Sequence, residues 1–218
     1  MESNKKIECV LTEELNEAKY QHPLRFNYKI NGIMNTWEVM LYYDCVEILI
    51  FNITRNVFIF VKQFRPPVYL NKLLRENNLL SECLKKIERK YYLKDLLNDK
   101  TILPASHGYT IELCAGLIDR KDTALNIANA EVFEEVGYSV KTKNMHKINT
   151  YVGFRSCTGL LGNETSIYFA VVEDCDKTSP GGGIGNENIE IIEVAETEME
   201  NFIKCTPNIP NVLHFSYM

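Results

Sequence analysis

Hydrophobic and polar positions alternate through the first third of the chain, the period-2 pattern of half-buried strands. Residues 24–30 and 36–41 carry it on either side of Asn31-Gly32, a dipeptide favoured in type I′ hairpin turns. Residues 45–52 and 57–63 are denser in apolar and β-branched side chains and are separated by the polar Thr54-Arg55-Asn56. They predict two buried strands joined by a turn. The pattern changes at 71–100, which is rich in Leu, Lys and Glu and has no glycine; it reads as one or two surface helices inserted between strands. Residues 108–114 return to strand, and 123–136 form a helix that stops at Gly137. Strands follow at about 146–152 and 165–172. After a glycine-rich loop at 180–185 come a short strand at 189–194 and a helix at 196–204. With no internal repeat or convincing linker, one α+β domain with an N-terminal antiparallel hairpin sheet is the economical reading.

Composition narrows the function class. A chain of 218 residues, 45% hydrophobic and 24% charged, can bury one sizeable core. A net charge of −5 argues against generic nucleic-acid binding, which needs a basic surface. It leaves room for a small phosphorylated substrate, because a metal ion can supply positive charge locally. No apolar run approaches the roughly 20 residues of a membrane span. The polar N-terminus lacks the apolar core of a secretory signal, so a cytoplasmic protein is expected, with no membrane partner. Cys9, Cys45, Cys83, Cys114, Cys157, Cys175 and Cys205 are odd in number and form no CxxC pair. That usage fits reduced thiols; several fall inside apolar runs and read as small buried hydrophobes, and the set as a whole reads as structural or surface.

Candidate chemistry concentrates in one helix. Asp122 or Thr123 suits its N-cap, and Gly137 suits the left-handed position that ends it. At 100° per residue Leu125, Ala128, Val132 and Val136 make an apolar stripe. Glu131, Glu134 and Glu135 share a face beside it and repel one another by a few tenths of a kcal/mol per pair. A hard divalent cation such as magnesium, which keeps some coordination positions for water and phosphate, turns such a face into a binding site. A bare ExxEE is otherwise most simply an exposed acidic face.

The wider spacing decides between them. From Gly116 the chain runs five residues to Asp122, then through Ala130 to Glu131, Val132, Glu134-Glu135, Gly137 and Tyr138. This resembles the Nudix box, G-x5-E-x7-R-E-U-x-E-E-x-G-U, where U is a bulky apolar residue. Two positions depart: Asp122 replaces a glutamate, and Ala130 stands where the box has arginine. Position 130 sits about 40° from Glu134 on the helical wheel, so an arginine there could hold the glutamates in geometry. Its loss could lower activity or metal affinity.

The resemblance extends to residues 61–68 (VKQFRPPV), 112–119 (ELCAGLID), 35–39 (NTWEV) and the late GGGIGNENIEIIEV. These look like blocks of the ADP-ribose and UDP-sugar pyrophosphatase branch, and several details look more like its UDP-glucose pyrophosphatases. The resemblance implies a Nudix fold, a mixed β-sheet sandwiched between helices. It also implies a dimerising hairpin region at 1–44 and a catalytic domain at 45–218 with its insertion at about 71–100. It implies Mg2+, with Mn2+ able to substitute, held by Glu131, Glu134, Glu135 and the backbone carbonyl of Ala115. Glu190 would assist the attacking water, with Glu187 as the second candidate and Glu134 and Glu135 completing the catalytic set. Arg65 would contact the substrate diphosphate through its planar fork. Glu112 would line the diphosphate pocket or serve structure. Trp37 would stack on the base across a homodimer, or else lie in the core.

The function these features imply is Mg-dependent hydrolysis of the pyrophosphate bond of a nucleoside diphosphate sugar, UDP-glucose or ADP-ribose. The products would be a nucleoside monophosphate and a sugar phosphate. Ala130 keeps open a Nudix-fold protein that binds a nucleotide sugar with little turnover. A calcium-sensing module is disfavoured because no D-x-D-x-D-G loop is present. Base and sugar selectivity fall in loops at 71–100 and 156–164 that the pattern does not place.

Overall fold

The computed structural model describes residue 7 and residues 18–81, 102–148, 155, 157–210 and 213. Contacts group the chain into two compact units, Met1–Glu17 with Gln63–Thr110, and Ala18–Lys62 with Ile111–Met218.

The larger unit begins with the hairpin. β1 (His22–Ile30) and β2 (Ile33–Leu41) pair antiparallel with Ile30 opposite Ile33. Asn31 and Gly32 take φ of 51° and 81°, the two positive values that a type I′ turn requires. β2 starts earlier than the alternation alone predicts, at Ile33, because the turn needs only two residues. The hairpin leaves Leu24, Phe26, Ile30, Ile33 and Trp37 exposed, and by register these residues share one face.

A mixed seven-stranded sheet follows. Its order is β5 (Tyr109–Glu112), β4 (Val57–Phe64), β3 (Cys45–Asn52), β8 (Thr165–Val172) and β7 (Met145–Lys147), with β6 (Cys114–Leu117) also on β3 and β9 (Glu190–Ala195) also on β4. β3 runs parallel to β8 along its whole length and antiparallel to β6 and β4. β7 flanks β8, and β9 flanks β4. Alternation along β3 sorts its side chains. Val46, Ile48 and Ile50 join a cluster with Ile127 and Ala128 of α2 (Ala124–Glu131), and with Val132 and Val136 just beyond it. Leu49 and Phe51 join a second cluster with Met199 and Phe202 of α3 (Met199–Cys205). Burying both strand faces explains why 45–52 reads as a near-continuous apolar run. No helix among the described residues is long and apolar enough to cross a membrane.

One expectation needs correction. The strand expected over 108–114 is broken at Leu113 into β5 (Tyr109–Glu112) and β6. The fully buried Leu113 turns into the second cluster while Cys114 turns into the first. Among the cysteines, Cys114 is buried, Cys45 is half-buried, and Cys157, Cys175 and Cys205 are exposed. Cys9 and Cys83 lie outside the described residues.

In the smaller unit, α1 (Pro66–Glu76) starts before residue 71, where the helical pattern is expected to begin, because two prolines open it. Proline lacks the N–H that a first turn leaves unused anyway. Arg65 is its N-cap, its N–H donating to the Gly108 carbonyl at 2.8 Å. The Tyr69 hydroxyl donates to the Leu103 carbonyl at 2.8 Å, and Phe64, Tyr69 and Tyr109 form an aromatic group. The remainder of the expected 71–100 helical insertion, from residue 82 on, lies outside the described residues, as do residues 149–152 of the expected strand.

Candidate active site

The acidic helix is set at both ends. Thr123 Oγ1 accepts from the Asn126 N–H at 3.2 Å, while Asp122 Oδ1 accepts from the Thr123 N–H and from Asn126 Nδ2, each at 2.7 Å. The first acid of the box therefore serves the helix start. These bonds, Asn126 first, hold its carboxyl below the ordinary carboxylate range. At the other end Gly137 adopts φ 80°, where any β-carbon would also meet the Ser179 carbonyl at 2.0 Å.

Between the caps, α2 widens into a π turn over Val132–Val136. Turns of this kind often coincide with functional sites. The 3.6-residue wheel did not foresee it: Val132 and Val136 stay buried in the core, and Glu135 turns inward to 5% exposure. Its Oε2 accepts from the Ala115 N–H on β6 at 3.1 Å. Glu131 lies against the next residue of the same strand. A β-carbon on Gly116 would stand 2.2 Å from its carboxyl carbon, so only glycine leaves room for it. β6 is placed for both contacts by its pairing with β3, Val46 opposite Gly116 and Glu47 opposite Ala115.

Burial and mutual repulsion leave these carboxylates reluctant to ionise. Glu131 is pushed up to about 7, by burial first and then by Glu134, with Glu187 and Asp119 adding to it. Glu135 is also pushed up to about 7 by burial, against the Cys114 thiol and Ala115 N–H that hydrogen-bond to its charged form. Excess negative potential of this kind is what a hard cation relieves. Among the described residues no three His, Cys, Asp or Glu side chains enclose a metal ion on their own.

The glycine-rich loop completes the surroundings. The N–H groups of Thr178 and Ser179 donate to the Gly137 carbonyl, that of Gly182 to Glu135 (2.8 Å) and that of Gly183 to Glu134 (3.0 Å). The loop thus satisfies carbonyls that the helix end leaves open. It then brings in Glu187, whose Oε2 accepts from the Ile184 N–H at 2.9 Å and whose charge acts on both Glu131 and Glu135. Glu190 lies farther along at the start of β9, opposite Lys62 and paired with its ammonium at 3.3 Å.

The structure therefore places Glu131 and Glu135 against β6, at Gly116 and at the Ala115 N–H, while Glu134 and Glu187 act on Glu131 as like charges. Glu112 ends β5, half-buried. Arg65 occupies the N-cap described above. Trp37 is not a core residue: it stands opposite Phe26 with 54% of its surface exposed. Its indole N–H donates to the Gly159 carbonyl at 2.8 Å. Sequence reasoning missed the Cys114 thiol as a partner of Glu135 and ranked Glu187 second. The spacing from the glycine run to Glu187, short enough to close a turn on Ile184, was the available clue.

No family model matches the sequence. It is 34% identical over 213 residues to the uridine diphosphate glucose pyrophosphatase NUDT14 of Bos taurus, covering 95% of this chain and 90% of that protein. The Mus musculus protein of the same name is 30% identical over 203 residues, covering 92% and 86%. A GDP-mannose pyrophosphatase of Salmonella arizonae is 27% identical over 148 residues, covering 67% and 57%.

Proposed function

Because the chain belongs to the Nudix hydrolases, in the UDP-sugar pyrophosphatase branch, we propose that it splits the pyrophosphate bridge of a nucleoside diphosphate sugar. UDP-glucose is the first candidate substrate and ADP-ribose the second, with Mg2+ as cofactor and Mn2+ able to substitute. The observation that carries this reading is the pair Glu131 and Glu135. They are seated on consecutive residues of β6, and Glu187 acts on both.

Glu131, Glu134 and Glu135, with the Ala115 carbonyl, are the groups to hold magnesium, which when bound offsets diphosphate charge and makes water a better nucleophile. Glu187 takes the proton of the attacking water. The resemblance gave that part to Glu190, but the pairing with Lys62 makes Glu190 the second choice. By the resemblance, Arg65 is the proposed paired donor to the diphosphate, and Glu112 a residue of the diphosphate pocket or of structure. The exposed Trp37 ring, its N–H occupied by Gly159, keeps its faces for stacking on the base. Attack at phosphorus then releases a nucleoside monophosphate and a sugar phosphate, with positioning supplying most of the rate. The apolar hairpin face is proposed as the contact with a second copy of the chain, since so large an exposed patch calls for a partner.

A panel of nucleotide sugars with magnesium, scored by product identity, tests the reading. Release of UMP and glucose 1-phosphate from UDP-glucose, lost in Glu135→Gln, supports it. Tight binding without turnover refutes it.

A further inference from the structure

Negative charge is crowded about Glu131. Glu134, Glu187 and Asp119 all act on it as like charges, and a diphosphate substrate adds more. A divalent cation offsets part of this, and a fixed positive group of the protein can offset the rest.

The loop over 118–123 carries such a group. It leaves β6 just after Gly116, the residue that lies against the Glu131 carboxyl, and it ends at the Asp122 and Thr123 caps of α2. The Ile118 N–H donates to the Asp44 carbonyl at 2.8 Å, which fixes the start of the loop. The Asp122 N–H donates back to the Arg120 carbonyl at 2.9 Å, closing a tight turn that begins at Arg120. The Arg120 side chain is exposed and makes no hydrogen bond or close ion pair among the described residues. Its charge nevertheless acts on both Glu131 and Asp122. A guanidinium locked to a carboxylate would be a structural clamp standing in for the arginine missing at position 130. Arg120 makes no such contact, so its donor fork remains available beside the carboxylates.

We propose that Arg120 binds a phosphate oxygen of the substrate diphosphate and is a further substrate-binding residue of this site. The inference rests on the pyrophosphatase reading above. Planar guanidinium donors match paired phosphate oxygens, and an ammonium at the same place matches them less well.

The test compares wild type, Arg120→Ala and Arg120→Lys in three measurements: kcat and KM with UDP-glucose at saturating magnesium, Mn2+ binding without substrate by electron paramagnetic resonance, and thermal midpoint. Arg120→Ala is expected to raise KM about tenfold, with kcat changed by no more than about threefold, and Arg120→Lys to fall between. Mn2+ affinity and thermal midpoint are expected to stay unchanged. An unaltered KM overturns the proposal. So does a loss of Mn2+ affinity in Arg120→Ala, which would make Arg120 a positioning group for Glu131. If wild type turns over no nucleotide sugar, the pyrophosphatase reading fails by itself. Calorimetric binding of magnesium pyrophosphate to wild type and Arg120→Ala then still decides about Arg120.

Discussion

The carboxyl group of Glu131 occupies the space where Gly116 would otherwise carry a side chain. One residue of a strand thereby fixes the position of an acid fifteen residues later on a helix. Gly116→Ala is expected to displace Glu131 and lower kcat by about 100-fold, close to 2.7 kcal/mol of lost transition-state stabilisation. Overpacking costs only about 1–3 kcal/mol of stability, so the variant should still fold. Circular dichroism alongside kinetics separates the two effects.

The box spacing from Gly116 to Tyr138 could be read from sequence because each of its elements has one local job: close approach at Gly116, capping at Asp122 and Thr123, carboxylates on one helix, and a left-handed stop at Gly137. The hairpin was equally legible from Asn31-Gly32. The π turn was not, since it exists to keep Val132 and Val136 in the core while Glu135 reaches the Ala115 N–H, and no local propensity encodes that compromise. The pairing that inclines the proposed mechanism toward Glu187 was also hidden, because it depends on Lys62 standing opposite Glu190 on the neighbouring strand. Exposure of Trp37 required knowing which hairpin face the core leaves uncovered.

Removal of metal should make stability pH-dependent in a defined direction. Glu131 and Glu135 titrate near 7 in the folded protein and near the ordinary value of about 4.3 when unfolded. Between those values the folded state holds more protons, so stability falls as pH rises through the window. The thermal midpoint of metal-free protein is expected to drop from pH 5 to pH 7.5. Added magnesium should recover it mainly at the upper end. Glu131→Gln with Glu135→Gln should flatten the slope; a profile unchanged in that double variant would contradict the assignment.

Two neutralised acids on the same stretch of chain should behave differently. Glu187→Gln is expected to lower kcat by about 100-fold or more, within the range typical of a lost general base. Glu190→Gln, which gives up only an exposed ion pair, should stay within about threefold. Equal losses in both, or a larger loss in Glu190→Gln, would restore Glu190 to the part the resemblance assigned it.

Phe26→Lys places a charge in the middle of the exposed hairpin face. Light scattering on the wild-type protein is expected to give twice the chain mass, and on the variant the mass of one chain. A wild-type monomer would remove the second copy from the proposed assembly.

Asn52 is buried and joins distant parts of the chain. Its Nδ2 donates to Asp174 at 2.8 Å and to the Tyr138 hydroxyl at 3.3 Å, and its Oδ1 accepts from the Thr54 and Arg55 N–H groups. Arg55 adds bonds to Tyr138, Asp174 and Glu193. Asn52→Ala strands several of these groups and is expected to cost about 1–3 kcal/mol in chemical denaturation.

The bonds from Gly182 and Gly183 have a consequence beyond capping. They attach to the peptide units of Glu135 and Glu134 themselves, so the segment bearing Glu187 and the segment bearing the helix acids form one mechanical part. A cation bound as proposed would meet acids whose backbone is already fixed and would have little chain to reorganise. Those same N–H groups, being spent inside the fold, cannot wrap a phosphate as a glycine-rich loop often does. A phosphate bound as proposed has to find its donors elsewhere, the part proposed for Arg65 and Arg120.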